Sequence, residues 1–260
     1  MDPRNVWPRV VAAVALVLLA SCGVTLLVIK PRLKLPASLS AQSNWVLAGA
    51  LPTSGEVPAG WGYGLAGELQ RSTPASSDLP QPLATLSYEP PACGHLPRML
   101  DHREGGQGPH VNVDRYTTIE ALEPALADVN ATGDVHEIGP NATLTIWAVG
   151  DGPAQIAEYT DWLTRCNSYH ITDHDKSGKT KAERTVTTVR DEPWPGGTDV
   201  AVSVTRSFGT ARNTKPPLTY HVAYFALRGV ILECSIFMKG PDVDVVKGLA
   251  AATIAKLRTL

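Results

Sequence analysis

The chain has 260 residues, of which 43% are apolar and 18% are charged, and its formal net charge is -2. This length accommodates one sizeable domain with an anchor, or two very small domains. When Arg4, Arg9, Lys30 and Asp2 are set aside with residues 1–30, 20 basic and 24 acidic side chains remain. Because binding to nucleic acid requires clustered Lys and Arg, we expect no nucleic-acid partner.

An uninterrupted apolar segment runs from Val10 to Ile29, between Arg9 and Lys30. As a helix with a rise of ~1.5 Å per residue, its twenty uncharged residues span the ~30 Å hydrocarbon core of a bilayer. We therefore predict that residues 1–30 hold the protein at a membrane, with a helix at 10–29.

This anchor has two interpretations. The segment Leu19-Ala20-Ser21-Cys22 matches a lipobox, in which Cys22 is lipidated after a signal peptide is cleaved. The apolar run continues to Ile29, however, and this favours an uncleaved transmembrane helix. The flanking basic residues are nearly balanced, and a long folded domain is translocated largely regardless of them. We expect the C-terminal domain to be extracytoplasmic in both cases.

Residues 31–60 contain four prolines among Ala, Ser and Gly, which indicates an extended linker. Within it, Trp45-Val46-Leu47 has the apolar character to dock on a domain predicted at 61–260. The first part of that domain is rich in Pro and Gly. A strand is predicted at 83–88, and the glycines between His102 and His110 predict a surface loop.

The second half of the chain shows clearer periodicity. A strand is predicted from Thr143 to Val149, and a helix begins near Pro153. The apolar positions of this helix are Ile156, Tyr159, Leu163 and Cys166. Further strands are predicted at 169–174, 185–190, 199–207, 219–227 and 230–238, with a tight turn at Arg228-Gly229.

A C-terminal amphipathic helix follows Gly240-Pro241, with Asp242 as its predicted N-cap. Its apolar face comprises Val246, Leu249, Ala250, Thr253 and Leu257. Together these elements predict an α+β fold, an antiparallel β-sheet with helices packed on one face. A single N-terminal transmembrane or lipoprotein-signal helix precedes it.

Three cysteines remain after Cys22 is assigned to the anchor. An exported protein commonly joins cysteines of loops and helix ends in disulfides. Cys93 lies in a Pro-rich loop and Cys166 ends a helix, whereas Cys234 lies mid-strand, where a small buried side chain is the commoner role. We predict a Cys93–Cys166 disulfide with Cys234 as a buried free thiol, and Cys166–Cys234 is the alternative pairing.

The segment Pro90-Pro91-Ala92-Cys93-Gly94-His95-Leu96 precedes a helix running into Cys166, then β-hairpins and a terminal amphipathic helix. This succession resembles a family of mycobacterial exported lipoproteins and membrane-anchored proteins known only as a domain of unknown function. More loosely, it is similar to the extracellular sensor domain of PknH-type kinases, a disulfide-bearing α+β fold. The resemblance covers about residues 45–260. It implies export and a fold, and it supplies no activity.

No sequence motif indicates chemistry. His170 and His174 share one strand face, but two imidazoles alone do not make a metal site. The Gly-rich segment ending at His110 is not followed by a helix N-terminus, so we expect no nucleotide site. There is no G-x-S-x-G, and neither Cys234 nor Ser235 lies in a turn that would expose a nucleophile. We expect a non-enzymatic protein with no catalytic, cofactor or metal residues.

Trp194, between two prolines, has two interpretations. If exposed, it would be a partner contact, and if buried it would plug the sheet edge; the sequence favours the buried role.

The leading functional hypothesis is an envelope-displayed binding or sensor-like domain, whose ligand is a cell-wall component, a lipid or an envelope protein. The alternative is a structural subunit of a membrane export or envelope-biogenesis complex, in which small residues of the helix bind partner helices. These are Ala12, Ala13, Ala15, Ala20, Ser21 and Gly23. A hydrolase with an unrecognised site is a weaker alternative.

Overall fold

Nine strands form one antiparallel sheet in the computed structural model of the protein, counted over the residues that it describes. They are β1 (Gly62–Ala66), β2 (Leu86–Glu89), β3 (His110–Asp114), β4 (Ala142–Ala148), β5 (Ser168–His174), β6 (Thr180–Arg190), β7 (Val200–Thr210), β8 (Leu218–Leu227) and β9 (Val230–Ile236). Their order in the sheet is β1-β3-β4-β9-β8-β7-β6-β5-β2. The structure describes residues 38–66, 86–100, 108–115, 141–175, 177–192, 194, 198–210 and 218–260.

A tight turn sets the register of the central hairpin of β8 and β9. Arg228 and Gly229 both have positive φ angles, 50° and 85°, as a two-residue type I′ turn requires. Leu227 therefore pairs with Val230, and Tyr224 pairs with Glu233. The tight turn predicted at Arg228-Gly229 is confirmed.

Strand β8 is buried on both of its faces. Ala223, Phe225 and Leu227 belong to one core cluster, whereas Val222, Tyr224 and Ala226 belong to a second cluster on the opposite face. Because both sets of side chains are apolar, the centre of the sheet requires cover on both sides.

Two long helices provide that cover from opposite sides. Helix α2 (Gly152–Cys166) packs with the Tyr224 cluster, and helix α3 (Pro241–Thr259) packs with the Phe225 cluster. The prediction of an antiparallel sheet with helices is confirmed, but the prediction that the helices share one face is wrong. The reason is the double-sided apolar pattern of β8, which continues in Ile231 and Leu232 of β9.

Residues 38–60 are folded and do not form an extended linker. They contain the short helix α1 (Asn44–Ala48) and bury Leu39, Leu47 and Leu51 in the same cluster as α3. The compact unit accordingly begins at Pro36. Apolar burial explains the difference from the prediction, since these leucines complete the core under α3. Trp45 of α1 is 60% exposed.

One ion pair attaches this segment to α3. The Lys256 ammonium donates to the Glu56 carboxylate over 2.7 Å and to the carbonyl oxygen of Leu51 over 3.3 Å. The carboxylate also accepts from the backbone N–H and the hydroxyl of Thr53. This contact joins positions separated by 200 residues.

Some element boundaries differ from the predictions. β6 begins at Thr180, before the predicted start at 185, and His110 begins β3 instead of ending a loop. The N-cap of α3 is Gly240, and Asp242 lies in the first turn. Pro241 explains this shift, because a proline is well accommodated at the first helical position.

Within these described ranges, no helix has both the length and the apolar character needed to cross a bilayer. The predicted helix at 10–29, its small residues and Cys22 lie outside the described residues.

Candidate functional site

Helix α2 lies across β7 and β8 and forms one wall of the candidate site. The buried side of the helix comprises Ile156, Tyr159, Trp162, Leu163 and Cys166, at the helical spacing predicted from the sequence. Gly152 lets the helix start close to the sheet, since a Cβ there would lie 3.0 Å from the Cβ of Ala226.

On the face that α2 covers, two charged residues replace the expected apolar side chains. Val202 and Val204 of β7 are buried under the helix, and Arg206 follows them at the next position of the same alternation. On β9, Glu233 follows Ile231 in the same way. We use the name Arg206 site for Arg206, Glu233 and their neighbours Tyr159, Tyr220, Tyr224 and Ser235.

The Arg206 guanidinium is held by two tyrosine hydroxyls. Its Nη2 donates to Tyr159 over 2.9 Å, and its Nη1 donates to Tyr220 over 3.1 Å. Its carbon Cζ also lies 5.9 Å from the centre of the Tyr220 ring, a cation–π distance. Tyr159 comes from α2 and Tyr220 from β8, so the arginine joins the helix to the sheet.

The charge of Arg206 is bonded to neutral groups. Within the described part of the chain, the guanidinium bonds to these two hydroxyls and to no carboxylate, and its buried Nε has no hydrogen-bond partner. Burial lowers the pKa of Arg206, but the nearby Tyr159 and Tyr220 outweigh it and the pKa is raised overall. The side chain is therefore a permanent, half-buried cation.

Glu233 is the acidic member of the site. Burial raises the pKa of its carboxyl to about 7, although the Ser235 hydroxyl and the field of Arg206 act in the opposite direction. Ser235 donates to Oε1 of Glu233 over 3.1 Å. The carboxyl thus changes charge near neutral pH, where an ordinary glutamate is fully ionised.

Tyr159 and Tyr224 of the site remain neutral. Burial raises the pKa of Tyr159, and Arg206 only partly offsets this. Burial also raises the pKa of Tyr224, which lies beside Glu233 in the register. The rings of Tyr159 and Tyr224 pack edge-to-face with centroids 5.6 Å apart.

A row of three aromatic rings borders Arg206. Tyr220 stacks between Phe208 and Phe237, with centroid distances of 5.7 Å and 4.7 Å and interplanar angles of 3° and 19°. All three rings are half-buried, so part of this row faces solvent. The site therefore combines a cation, hydroxyl donors, a titratable carboxyl and apolar ring surface.

The Cys93–Cys166 disulfide anchors the end of α2. The Sγ–Sγ distance is 2.05 Å, and Cys93 lies in a 3₁₀ turn at Pro91–Gly94. Cys234 is a buried free thiol, and burial raises its pKa well above the ordinary range, which leaves it unreactive. The disulfide holds the helix that presents Tyr159.

The structure separates the two histidines considered as metal ligands. His170 Nδ1 lies 2.9 Å from the Thr185 hydroxyl on β6, and His174 Nε2 lies 3.0 Å from the Ser87 hydroxyl on β2. The register shifts between Asp173 and His174. Over the residues described, no three metal-ligating side chains gather.

Trp194 takes the buried role of its two interpretations. Its side chain is 8% exposed and packs against Phe225 at 6.1 Å, with the Lys247 ammonium 5.3 Å from its ring centre. Of the Gly-rich segment, His102 and residues up to 107 lie outside the described residues. The Nδ1 atom of His110 lies 3.3 Å from the carbonyl oxygen of Gly108.

Searches against family models and curated proteins found no match for the chain. Among solved structures, the extracellular domain of PknH from Mycobacterium tuberculosis matches with 13% identity and a TM-score of 0.42, over 82% of this chain and 97% of that one. An uncharacterized protein from Mycobacterium smegmatis, an Rv0999 ortholog, matches with 11% identity and a TM-score of 0.37, over 84% and 99%. The loose similarity to the PknH-type extracellular domain is confirmed, and no functional residue is carried over from it.

Proposed function

We propose that this chain is a non-enzymatic binding or sensor-like domain displayed outside the cytoplasm, and that its ligand binds at the Arg206 site. One observation carries the proposal: among the residues that the structure describes, the half-buried guanidinium has tyrosine hydroxyls as its only partners, and its buried Nε–H has none.

Burial places the charge of Arg206 where water solvates it poorly. Desolvation is the largest single influence on the pKa of Arg206 and opposes the charge, and the surrounding tyrosines offset it. A hydrophobic residue at position 206 would continue the pattern of Val202 and Val204 at no such cost. Perturbed ionisable groups of this kind concentrate at functional sites. The Arg206 site contains four groups with shifted pKa values: Arg206, Glu233, Tyr159 and Tyr224.

The extracytoplasmic location is supported by two independent features. The Cys93–Cys166 disulfide is typical of proteins that fold in an oxidising compartment. The apolar segment at 10–29 is typical of an export signal or a membrane anchor. We propose that residues 1–30 attach the domain to the membrane, whether or not Cys22 is lipidated.

The test is native mass spectrometry of the full chain, purified in neutral detergent from the membranes in which it is naturally displayed. We expect a bound small molecule on the wild-type protein. Arg206→Met should lose it, because the cation is removed. Arg165→Met, at a side chain that is 66% exposed, is the matched control and should retain it.

Two results would count against the proposal. One is a wild-type protein that carries no bound molecule. The other is an Arg206→Met variant that carries the same molecule in the same proportion. Arg206→Lys is the control for misfolding, since it keeps the positive charge but lacks the planar guanidinium that bonds to both tyrosines. It should fold and bind more weakly than wild type.

A further inference from the structure

We infer that the ligand of the Arg206 site presents an anionic oxygen group, a carboxylate or a phosphate, next to an apolar portion. This inference rests on the proposed function and names the chemistry of its ligand.

Arg206 supplies more hydrogen-bond donors than its two tyrosine partners use. A guanidinium has five N–H donors and no acceptor. Two of these donors go to Tyr159 and Tyr220 in the structure. Each tyrosine oxygen accepts from Arg206, so each hydroxyl keeps its own proton. Tyr159 is fully buried, and the half-buried Tyr220 is the one whose hydroxyl a ligand can reach. Around the guanidinium the site therefore has a surplus of donors, and the Glu233 carboxyl, whose pKa burial raises to about 7, is uncharged below that pH. An acceptor-only anionic oxygen group is the complement of such a set.

The charge of Arg206 makes the site unsuitable for a cationic ligand. The aromatic face that a cation would choose is that of Tyr220, and Arg206 already lies over it. The Tyr220 ring is also stacked by Phe208 and Phe237. A second cation would meet the permanent charge of Arg206 at close range and would be repelled.

The row of aromatic rings beside Arg206 would receive the apolar portion of the ligand. Phe208 and Phe237 flank Tyr220 and are half-buried, so apolar ring surface continues from the guanidinium on both sides. An anionic group held by Arg206 would bring an attached ring or acyl chain onto this surface. Burial of apolar area there would add to the affinity.

The experiment measures binding of phenyl phosphate to the full chain in neutral detergent by intrinsic fluorescence. Inorganic phosphate tests the anionic group alone, and phenyltrimethylammonium is a cation with the same ring. We expect phenyl phosphate to bind more tightly than inorganic phosphate, and the cation not to bind. Arg206→Met should weaken phenyl phosphate binding at least about tenfold, as loss of a charge-assisted hydrogen bond implies. The Arg165→Met control should bind as wild type does.

A second arm identifies the source of the anion. Mixed micelles with phosphatidic acid are compared with micelles of phosphatidylcholine for wild type, Arg206→Met and Arg165→Met. Binding to phosphatidic acid micelles that requires Arg206 indicates a lipid headgroup. Binding of phenyl phosphate alone indicates a soluble anion. Both outcomes support the inference.

The inference is overturned if Arg206→Met binds these anionic probes as tightly as wild type, or if wild type binds neither of them. Equal affinity for phenyltrimethylammonium would overturn it too. If a molecule from the membrane still depends on Arg206 in that case, the proposed function stands and only the anionic chemistry is wrong.

Discussion

Replacement of Glu233 by Gln should change how the stability of the protein depends on pH. Burial raises the pKa of this carboxyl from 4.5 to about 7 in the folded protein. Between these values the folded protein retains a proton that the unfolded chain releases. The free energy of unfolding therefore falls as pH rises. The stability that the retained proton of Glu233 contributes is fully present below pH 4.5 and is lost once the pH exceeds the pKa of the folded state.

The magnitude follows from the two pKa values. The interval from 4.5 to about 7 corresponds to about 3 kcal/mol of stability lost between acidic and mildly alkaline solution. Gln has nearly the same shape and carries no charge, so Glu233→Gln should be as stable as wild type near pH 4. At about pH 8 it should be more stable, by up to about 3 kcal/mol.

The assay is urea unfolding of both proteins across this pH range, with the disulfide kept oxidised and the full chain in neutral detergent. Because other groups also titrate, the quantity to compare is the difference between variant and wild type at each pH. Glu183→Gln, at an exposed position of β6, is the control and should show no such change. If the difference for Glu233→Gln is the same at pH 5 and pH 8, the reasoning about burial is refuted.

Three further variants test other parts of the structure. The double variant Cys93→Ser/Cys166→Ser releases a loop spanning a separation of 73 residues and should lower the free energy of unfolding by about 4 kcal/mol. An unchanged urea midpoint would contradict this. Glu56→Gln removes the ion pair with Lys256. In wild type the hydrogen bond from Lys256 lowers the Glu56 pKa to about 2, so the stability that the ionised carboxylate contributes is present above pH 4.5 and is lost as pH falls through about 2. With the pair about one-third exposed, the loss at pH 7 should be about 1 kcal/mol and should vanish near pH 2 in thermal unfolding. Trp194→Ala empties a buried position against Phe225 and should cost about 3 kcal/mol in chemical denaturation, and a loss below 1 kcal/mol would argue against its packing role.

The strongest local patterns predicted their elements well. Ile156, Tyr159, Leu163 and Cys166 recur at helical spacing and lie on the buried side of α2. Arg228-Gly229 predicted the tight turn that joins β8 and β9. These signals succeed because each depends on backbone geometry within a few residues.

Weaker patterns were missed for identifiable reasons. β1 contains Gly62 and Gly64, which have no side chains to mark an alternation. In β3, Val111 and Val113 are both fully buried and do alternate, but the strand is short and the preceding glycines suggested a loop. The leucines of residues 38–60 lack a period, because the segment covers the core with only one short helix.

Both charged residues of the Arg206 site lie at positions that the strand alternation marks as inward. Arg206 continues the inward positions of Val202 and Val204, and Glu233 continues that of Ile231. A charge at an inward position can be read from such alternation. The contact of Arg206 with Tyr159, 47 positions away along the chain, cannot be predicted from that alternation.

The sequence by itself determined the periodicity of the strands and helices, the central turn and the cysteines most suited to pairing. Only the tertiary structure decided that the helices cover opposite faces of the sheet, that residues 38–60 complete the core, and that Arg206 bonds to the hydroxyls of Tyr159 and Tyr220. The reason is physical: periodicity follows from the geometry of a few adjacent residues, whereas cover, register and the solvation of a charge depend on chain segments far apart in sequence.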